Sequence, residues 1–361
     1  MDNSKMIYRR NGKLIYIKQP EISEFNFISK LWADEETMRD IGGTYDFSED
    51  KWENFYDKMV YPGDGKNFYC LIYEVNSNKP VGEVSFHGYD CVTKSARFNI
   101  KILYSERKKG YGEEAARLLL EYYFLDFGGN MIIDNVKTEE GIKLIQKLGF
   151  EVTGQYKDEV GVRLSHATFS NINVSTKRSV GILMYDGMNM LDYSVAHDML
   201  KMANECSKNN IFEINGLSFK DKIKTDSGFE ICTKILVKKC DIIIIPGGKI
   251  NKEEINDKKL EFLKDSFKNC DYICAQGSGL KYLIKSRVLE GIFIPKNQIT
   301  TEDRKFISER RLIDKAFIDN GKVMLSSNNI GEIESILRLI DKIAGKDVAK
   351  KVGINVGVKY E

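Results

Sequence analysis

Six consecutive residues have the composition of a phosphate-binding turn. They stand between the apolar stretch 98–103 and a helical pattern that runs from Glu113 to Tyr123. A strand that ends in a basic, glycine-containing turn and enters a helix presents free backbone N–H groups, backed by the positive end of the helix dipole. The sequence therefore predicts a cradle for phosphate oxygens, formed by Arg107, Lys108, Lys109, Gly110, Tyr111 and Gly112.

The spacing of this turn decides which kind of cradle it is. It matches neither G-x-x-x-x-G-K-[ST] nor G-x-G-x-x-G, which excludes the two commonest nucleotide motifs. It resembles the R/Q-x-x-G-x-G/A signature of the Gcn5-related N-acetyltransferases, the GNAT superfamily. Residues 79–86, KPVGEVSF, resemble a strand of the RimJ/RimL and aminoglycoside acetyltransferase branch, and residues 147–151, KLGFE, resemble the closing K-x-GFE. The resemblance covers roughly residues 10 to 172.

The GNAT resemblance implies a mixed sheet with flanking helices and acetyl-CoA as co-substrate. The basic turn would wrap the pyrophosphate of acetyl-CoA. Two strands, ending near Leu103 and Val136, would splay apart and admit the pantetheine arm. The residues expected to contact acetyl-CoA are those of the turn together with Ile102, Leu103 and Thr138.

The reaction implied by this resemblance is direct attack of an amine on the thioester, with a small-molecule or peptide amine as acceptor. An amine is protonated at neutral pH, so a carboxylate must take its proton, directly or through water. Glu83 is the candidate base because its motif places it on a central strand, and His87 and Asp90 are reserves. A plain surface charge on a half-exposed strand is an equally open interpretation of Glu83.

Two positions depart from the family pattern. Thr138 stands where many members place Asn, and Ile145 stands where they place a Tyr that protonates the departing thiolate. A general acid raises a rate by roughly two to four orders of magnitude. Ile145 therefore weakens the prediction of activity, although water or another donor can serve because a thiolate leaves readily.

The elements before the turn are predicted to be helices followed by an antiparallel meander. Apolar residues at helical spacing between Trp52 and Met59 form a stripe that is either core or the wall of an acceptor pocket. The strands 68–75, 81–86 and 95–103 alternate with turn residues. The polar, unpatterned stretch Thr168–Ser179 is typical of a linker.

The second half of the sequence shows short apolar strands alternating with amphipathic helices. The apolar segments 180–185, 240–248, 272–280 and 322–327 indicate a parallel sheet with helices on both faces. Ligands in such folds bind beyond the carboxyl ends of the strands. The segments 186–187 (DG), 225–228 (TDSG), 245–248 (IPGG) and 288–291 (VLEG) resemble motifs of the PfpI/ThiJ superfamily. The isocyanide-hydratase and amidase-like branches of that superfamily share a class I glutamine amidotransferase-like, flavodoxin-like doubly wound sheet. The match covers about residues 179 to 355.

The resemblance places a glycine where the family has its nucleophile. The elbow cysteine of the family aligns with Gly277, which cannot attack a substrate, and Cys274 lies on the opposite side of its strand. We therefore expect a catalytically silent domain that binds a ligand or forms a homodimer. Its expected pocket contains Asp192, Gly247, Gly248, Gly277 and Ser278.

The totals for the chain favour two cytoplasmic domains. The 361 residues exceed the usual size of one hydrophobic core, and a net charge of +2 argues against a nucleic-acid or membrane-surface partner. No apolar run approaches a membrane span, and the seven cysteines and three histidines lack metal-ligand spacing, so no metal is expected. The predicted domains are residues 1–172 and 179–361, joined by a linker at 173–178.

Three functions are compatible with these patterns. The first is an acetyl-CoA-dependent N-acetyltransferase with a silent PfpI-like half. The second is a non-enzymatic sensor of acyl-CoA or a small molecule, which the missing groups at Ile145 and Gly277 favour. The third, a PfpI-type hydratase or protease, has the least support because it lacks a nucleophile.

Overall fold

A computed structural model describes residues 8–39, 41–61, 65–172, 177–207 and 210–360. The chain divides into two compact units, one of them Ile7–Ile172 and the other formed mainly by Asn173–Glu361. Each unit contains its own sheet and its own buried apolar clusters. The mixed α/β fold class predicted for both halves is confirmed.

The first unit is an eight-stranded sheet with helices on both faces. Its strands, in the order β1-β2-β3-β4-β5-β6-β8-β7, are antiparallel except for the β5–β6 pair. The strands are β1 (Arg9–Asn11), β2 (Ile15–Lys18), β3 (Phe68–Glu74), β4 (Pro80–Asp90), β5 (Ser95–Ile102), β6 (Met131–Val136), β7 (Glu151–Tyr156) and β8 (Glu159–Ser165). The helices are α1 (Phe25–Ala33), α2 (Glu35–Met38), α3 (Trp52–Met59), α4 (Tyr111–Glu121), α5 (Glu139–Lys147) and α6 (His166–Ile172).

Alternation along the strands gives this sheet two different apolar faces. Phe68, Cys70 and Ile72 of β3 pack in the larger cluster, which also contains residues of α4 and α5. Tyr69 and Tyr73 point the other way, into an aromatic cluster with α1 and α3. The aromatic stripe predicted from the sequence therefore lies on the face that carries Glu83.

The predicted meander is confirmed, and β5 and β6 part as expected. Their parallel pairing covers only Ser95–Arg97 of β5 and Met131–Ile133 of β6. Both strands then continue, β5 to Ile102 and β6 to Val136. A wedge-shaped opening between two neighbouring strands follows from this early end of the ladder.

The linker prediction needs one correction. Residues 173–176 lie outside the described residues, but α6 extends to Ile172 and the next strand begins at Arg178. The stretch Thr168–Ser179 is thus not irregular along its whole length, because its two ends join regular elements.

The second unit contains a six-stranded sheet in the order β10-β9-β13-β14-β18-β17. Its first five strands are parallel, and β17 pairs antiparallel with β18 at the edge. The strands are β9 (Arg178–Met184), β10 (Phe212–Ser218), β13 (Ile242–Ile245), β14 (Tyr272–Gln276), β17 (Phe317–Asp319) and β18 (Val323–Ser326). Short pairs are formed by β11 (Lys222–Lys224) with β12 (Glu230–Cys232) and by β15 (Ile294–Pro295) with β16 (Leu312–Ile313).

Helices cover both faces of this second sheet, which confirms the doubly wound prediction. Side chains from the strands enter one cluster on each face; Ile243 and Ile273 belong to the first and Ile244 and Cys274 to the second. The helices are α7 (Met190–Ser207), α8 (Asp257–Asn269), α9 (Leu280–Lys285), α10 (Asn329–Ala344) and α11 (Lys346–Asn355). In the described part of the chain no helix is both long and apolar enough to cross a membrane.

Candidate functional site

The turn before α4 has the free N–H groups that the sequence predicts. Among the described residues, no acceptor is bound by the backbone N–H groups of positions 108–113, and Glu114 is the first to donate, to the carbonyl of Gly110. Gly110 adopts a φ of +85° and Lys108 a φ of +64°, so the chain here is in the left-handed region. Consecutive N–H groups at a helix start form a site for phosphate oxygens.

The basic side chains of this turn have different partners. Arg107 donates from Nη2 to the carbonyl of Thr37 (3.0 Å) and from Nε to that of Ile102 (3.3 Å), so it fixes the turn to α2 and β5. Lys109 is ion-paired with Glu106 at 2.7 Å. Lys108 is exposed and forms no ion pair within the described ranges. It is therefore the cation most available to a bound phosphate.

Neighbouring residues hold the turn and the start of α4. The Tyr111 hydroxyl donates to Glu74 Oε1 at 2.6 Å, which raises the pKa of Tyr111 to about 12. Glu114, which the sequence reasoning missed, accepts from the backbone N–H groups of Lys13, Leu14 and Ile15 at 2.6, 2.7 and 2.9 Å. Glu114 is one of two acids in the first turn of α4, a common feature of helix starts, so the sequence gave no signal for this long-range contact.

Ile102, Leu103 and Gly112 flank the turn, at the end of β5 and in the first turn of α4. A Cβ added at Gly112 would make ordinary contacts with Ile102 at 3.5 Å and with Leu144 at 3.9 Å. The absent side chain of Gly112 thus faces β5 and α5. The N–H of Leu103 donates to Val81 at 3.0 Å, so Leu103 is bound to β4.

Thr138 and Ile145 lie on α5, the helix that follows the splayed strand β6. Thr138 is the N-cap of this helix, and its hydroxyl accepts from the N–H of Gly141 at 3.0 Å. Ile145 is buried in the apolar cluster with Ile132 and Val162. No proton donor is therefore supplied from the Ile145 position.

Glu83 lies at the centre of a buried hydrogen-bond network. Its Oε1 accepts from Lys101 Nζ (2.5 Å) and Asn99 Nδ2 (3.3 Å). Its Oε2 accepts from the Tyr69 hydroxyl (2.5 Å) and Trp32 Nε1 (2.8 Å). Glu83 is fully buried, so the interpretation as a surface charge is wrong. Because each oxygen already accepts two hydrogen bonds, a substrate proton could be taken only by breaking one of them.

The two reserve bases differ in their freedom to act. The Asp90 carboxylate accepts from the backbone N–H groups of Val92 and Thr93, which makes it a turn-forming group. His87 is half-buried on β4. It lies four residues after Glu83, so its side chain is on the same face of the sheet. It accepts no hydrogen bond from the described residues. Burial, with the nearby charges of Arg97 and Lys101, lowers the pKa of His87. A neutral imidazole at pH 7 follows.

In the second unit, Gly277 occupies a strand-to-helix turn with a φ of +49°. A Cβ built there would have only Gly247 Cα within 4 Å, at 3.9 Å, so space exists where a nucleophile would stand. Cys274 is fully buried, and burial raises its pKa to about 12. The strand-to-helix turn of the elbow is therefore present, but it carries no reactive side chain.

Two backbone N–H groups of the expected pocket, those of Gly247 and Gly248, could form an oxyanion hole beside Gly277, and both already donate to the protein's own side chains. The Gly247 N–H donates to Asp192 Oδ2 at 2.8 Å. The Gly248 N–H donates to Ser278 Oγ at 2.8 Å, and the Ser278 hydroxyl donates back to the Gly248 carbonyl at 2.5 Å. The Ser278 side chain blocks this hole because a short hydroxyl beside the turn reaches both groups.

Asp192 has an acidic neighbour that the sequence reasoning missed. Asp192 lies in the first turn of α7 and Glu332 in the first turn of α10, and both are buried. The two carboxyl groups are hydrogen-bonded to each other, and burial together with the charge of Asp192 raises the pKa of Glu332 to about 8. Burial, with the charge of Asp226, raises the pKa of Asp192. The two groups consequently share a proton at neutral pH.

The fully buried Gln276, the last residue of β14, forms no hydrogen bond within the described ranges through either its amide nitrogen or its amide oxygen. Its register partner on β18 is Ser326, whose hydroxyl is likewise unpaired in that part of the chain. Strand alternation places Gln276 on the same face as Cys274, which packs against α7 and α10. Unpaired polar groups therefore lie near the elbow. They gave no sequence signal beyond a polar residue at a strand end.

Comparison with known proteins agrees with two different halves. Residues 15–151 match the acetyltransferase (GNAT) domain, and residues 178–341 match the DJ-1/PfpI family. None of the curated proteins compared shows significant similarity to the sequence.

Several solved structures resemble one half of the chain each. A spermidine N-acetyltransferase from Vibrio cholerae, in complex with CoA and spermine, is 20% identical, with a TM-score of 0.40 over 44% of this chain and 99% of that chain. Toxoplasma gondii DJ-1 is 18% identical, with a TM-score of 0.44 over 51% and 100%. An AraC family transcriptional regulator from Pseudomonas putida is 22% identical, with a TM-score of 0.43 over 49% and 98%. The chain thus carries a GNAT acetyltransferase domain at residues 15–151 and a DJ-1/PfpI domain at residues 178–341.

Proposed function

We propose that the first unit is an N-acetyltransferase that moves the acetyl group of acetyl-CoA to an amine. The observation that carries the proposal is the row of free N–H groups at positions 108–113, at the start of α4 and beside the strands β5 and β6 that part after Arg97 and Ile133. The row supplies donors for a pyrophosphate, and the opening suits an extended pantetheine arm. The RimJ/RimL-like branch remains part of this proposal.

His87, rather than Glu83, is the base in this proposal. His87 lies on the face that carries the aromatic cluster of α1 and α3, where an acceptor would approach. Its lowered pKa keeps the imidazole neutral at pH 7, so it can accept the proton of the attacking amine. Glu83, held by four donors, instead fixes Lys101, Tyr69 and Trp32 and so shapes the acceptor side.

The second unit is proposed to be catalytically silent. Gly277 offers no nucleophile, Cys274 is buried as a thiol, and Ser278 blocks the neighbouring hole. In this proposal the second unit either binds a ligand or forms a homodimer. The residues proposed to contact a ligand are those around Asp192.

The decisive experiment incubates the full chain with acetyl-CoA and a panel of amines: polyamines, aminoglycosides, amino-acid amides and peptides with free N-termini. Released CoA is quantified by chromatography, because Cys91 and Cys232 are exposed thiols that would react with a thiol reagent. At least one amine should be acetylated, and His87→Gln should lower kcat by about 100-fold, the scale of a lost general base.

Binding without turnover across the panel would contradict the enzyme proposal and favour the sensor. Calorimetry with acetyl-CoA separates that result from a chain that does not bind the co-substrate at all. A His87→Gln variant with unchanged kcat and unchanged pH profile would leave the transferase but remove His87 from its mechanism.

A further inference from the structure

Asp134 is the first residue of β6 beyond the end of its pairing with β5. The last paired residues are Arg97 and Ile133, and Asp134 therefore lies where the two strands begin to part. In the proposed transferase this is the deep end of the opening, the place that a thioester carried by an extended arm would reach. The following argument rests on that proposed function.

Strand alternation places Asp134 on the face covered by α5. Its partner on β8 is Val162, which is buried in the same cluster as Ile132 and Ile145. Cross-strand partners point to the same side of a sheet. Val136, two residues on, lies so close to α5 that a Cβ on Gly141 would meet its Cγ1 at 2.6 Å. Asp134 and Ile145 thus belong to the same side of β6.

The carboxyl group of Asp134 is half-buried and partly free. Its Oδ1 accepts from the backbone N–H of Asn135 at 2.8 Å, and Oδ2 accepts no hydrogen bond in the part of the chain that the structure describes. No ion pair to Asp134 occurs within those ranges. A carboxyl oxygen is therefore available beside the opening.

The charge environment favours a protonated group. Burial raises the pKa of Asp134 to about 7, and Glu159 of β8 acts in the same direction, while Arg97 and Lys101 of β5 lower it. At neutral pH a substantial fraction of the molecules consequently carries a proton on Asp134.

We propose that Asp134 is the general acid of the acetyl transfer and replaces the phenol that is absent at Ile145. The amine nitrogen forms a bond to the thioester carbon, and the carbon–sulfur bond breaks with its electron pair on sulfur. Asp134 gives its proton to that sulfur and becomes a carboxylate. His87 takes the proton that the amine loses, and both groups re-equilibrate with solvent, so that amide and free thiol are the products.

The test compares kcat and its pH dependence for the full-length wild type, Asp134→Asn, Asp134→Glu and the double variant Asp134→Asn with Ile145→Tyr. Asp134→Asn should lower kcat by about 10- to 100-fold, the lower part of the range for a general acid because a thiolate is a good leaving group. The KM for acetyl-CoA should stay unchanged. The wild-type decline of kcat above about pH 7 should disappear in this variant.

Two variants separate proton donation from a structural role. Asp134→Glu should retain most of the activity, and the double variant should recover at least tenfold over Asp134→Asn. Asp158→Asn, an exposed residue of the same unit, is the matched control and should behave as wild type.

An active wild type whose Asp134→Asn variant keeps its kcat and pH profile would overturn this inference alone. A wild type that acetylates none of the amines overturns the proposed function and the inference together.

Discussion

The buried carboxyl pair of the second unit predicts a stability that falls as the pH rises. Asp192 and Glu332 are only 4% and 2% exposed, and they form no ion pair with any described residue. Burial and mutual repulsion raise the pKa of Glu332 from 4.5 to about 8. The folded protein thus binds a proton that the unfolded chain releases above about pH 5. Its stabilising effect is complete at low pH and is lost as the pH rises towards 8.

The magnitude follows from one extra proton in the folded state. Between about pH 5 and about pH 8 the free energy of unfolding should fall by about 1.4 kcal/mol per pH unit from this pair alone. From pH 6 to pH 8 the loss is roughly 2.5 kcal/mol, a large part of the stability of an ordinary domain. Glu332→Gln, which can still donate a hydrogen bond to Asp192, should remove this slope.

The assay is urea unfolding of the full chain at pH 6, 7 and 8, for the wild type and Glu332→Gln. Both tryptophans of the chain, Trp32 and Trp52, belong to the first unit. Their fluorescence therefore reports that unit and provides an internal control, while far-UV circular dichroism reports both. The second unit unfolds in the transition that gives no tryptophan signal. Between pH 6 and pH 8, its free energy of unfolding should fall by roughly 2.5 kcal/mol more in the wild type than in the variant. Equal pH slopes in the two proteins would refute the shared proton.

Two further predictions concern buried groups. Lys101→Met leaves the Glu83 carboxylate buried without its ammonium partner and should destabilise the first unit by about 3 kcal/mol, measured by tryptophan fluorescence. Adding Glu83→Gln should restore much of this loss, and a Lys101→Met protein as stable as wild type would disprove the network's role. Cys274 should resist iodoacetamide in the folded protein at neutral pH, while Cys91 and Cys232 react, as mass spectrometry of the labelled peptides can show. Rapid labelling of Cys274 would place the elbow there instead of at Gly277.

The cradle could be predicted from the sequence because its determinants are local. A strand end, two glycines and a helix start within a few residues decide which N–H groups remain unpaired. The parallel sheet of the second unit is equally readable, since the four consecutive isoleucines 242–245 are all buried. In both cases the signal lies within one segment of the chain.

The hydrogen bonds that use both carboxylate oxygens of Glu83 could not be predicted, because the donors come from three other elements. Trp32 is 51 residues away in sequence and Tyr69 is 14 residues away. The sequence shows that Glu83 lies on a strand, and only packing shows that both its oxygens are in use. Asp134 had a weak signal, an acid that follows the three apolar residues 131–133 of its strand, but its position depends on where the β5–β6 ladder ends.

The elbow of the second unit keeps the backbone turn at Gly277 but has no nucleophilic side chain there. A residue with a side chain would be strained at a φ of +49°, whereas Gly277 adopts it without a Cβ clash. Ser278 then bonds to both the N–H and the carbonyl of Gly248, which closes the position where a developing oxyanion would bind. In the proposed ligand-binding role, recognition would involve other groups near the elbow, among them the buried carboxyl pair of Asp192 and Glu332. A ligand that displaced the shared proton would have to be a cation, because only a positive charge compensates two buried carboxylates.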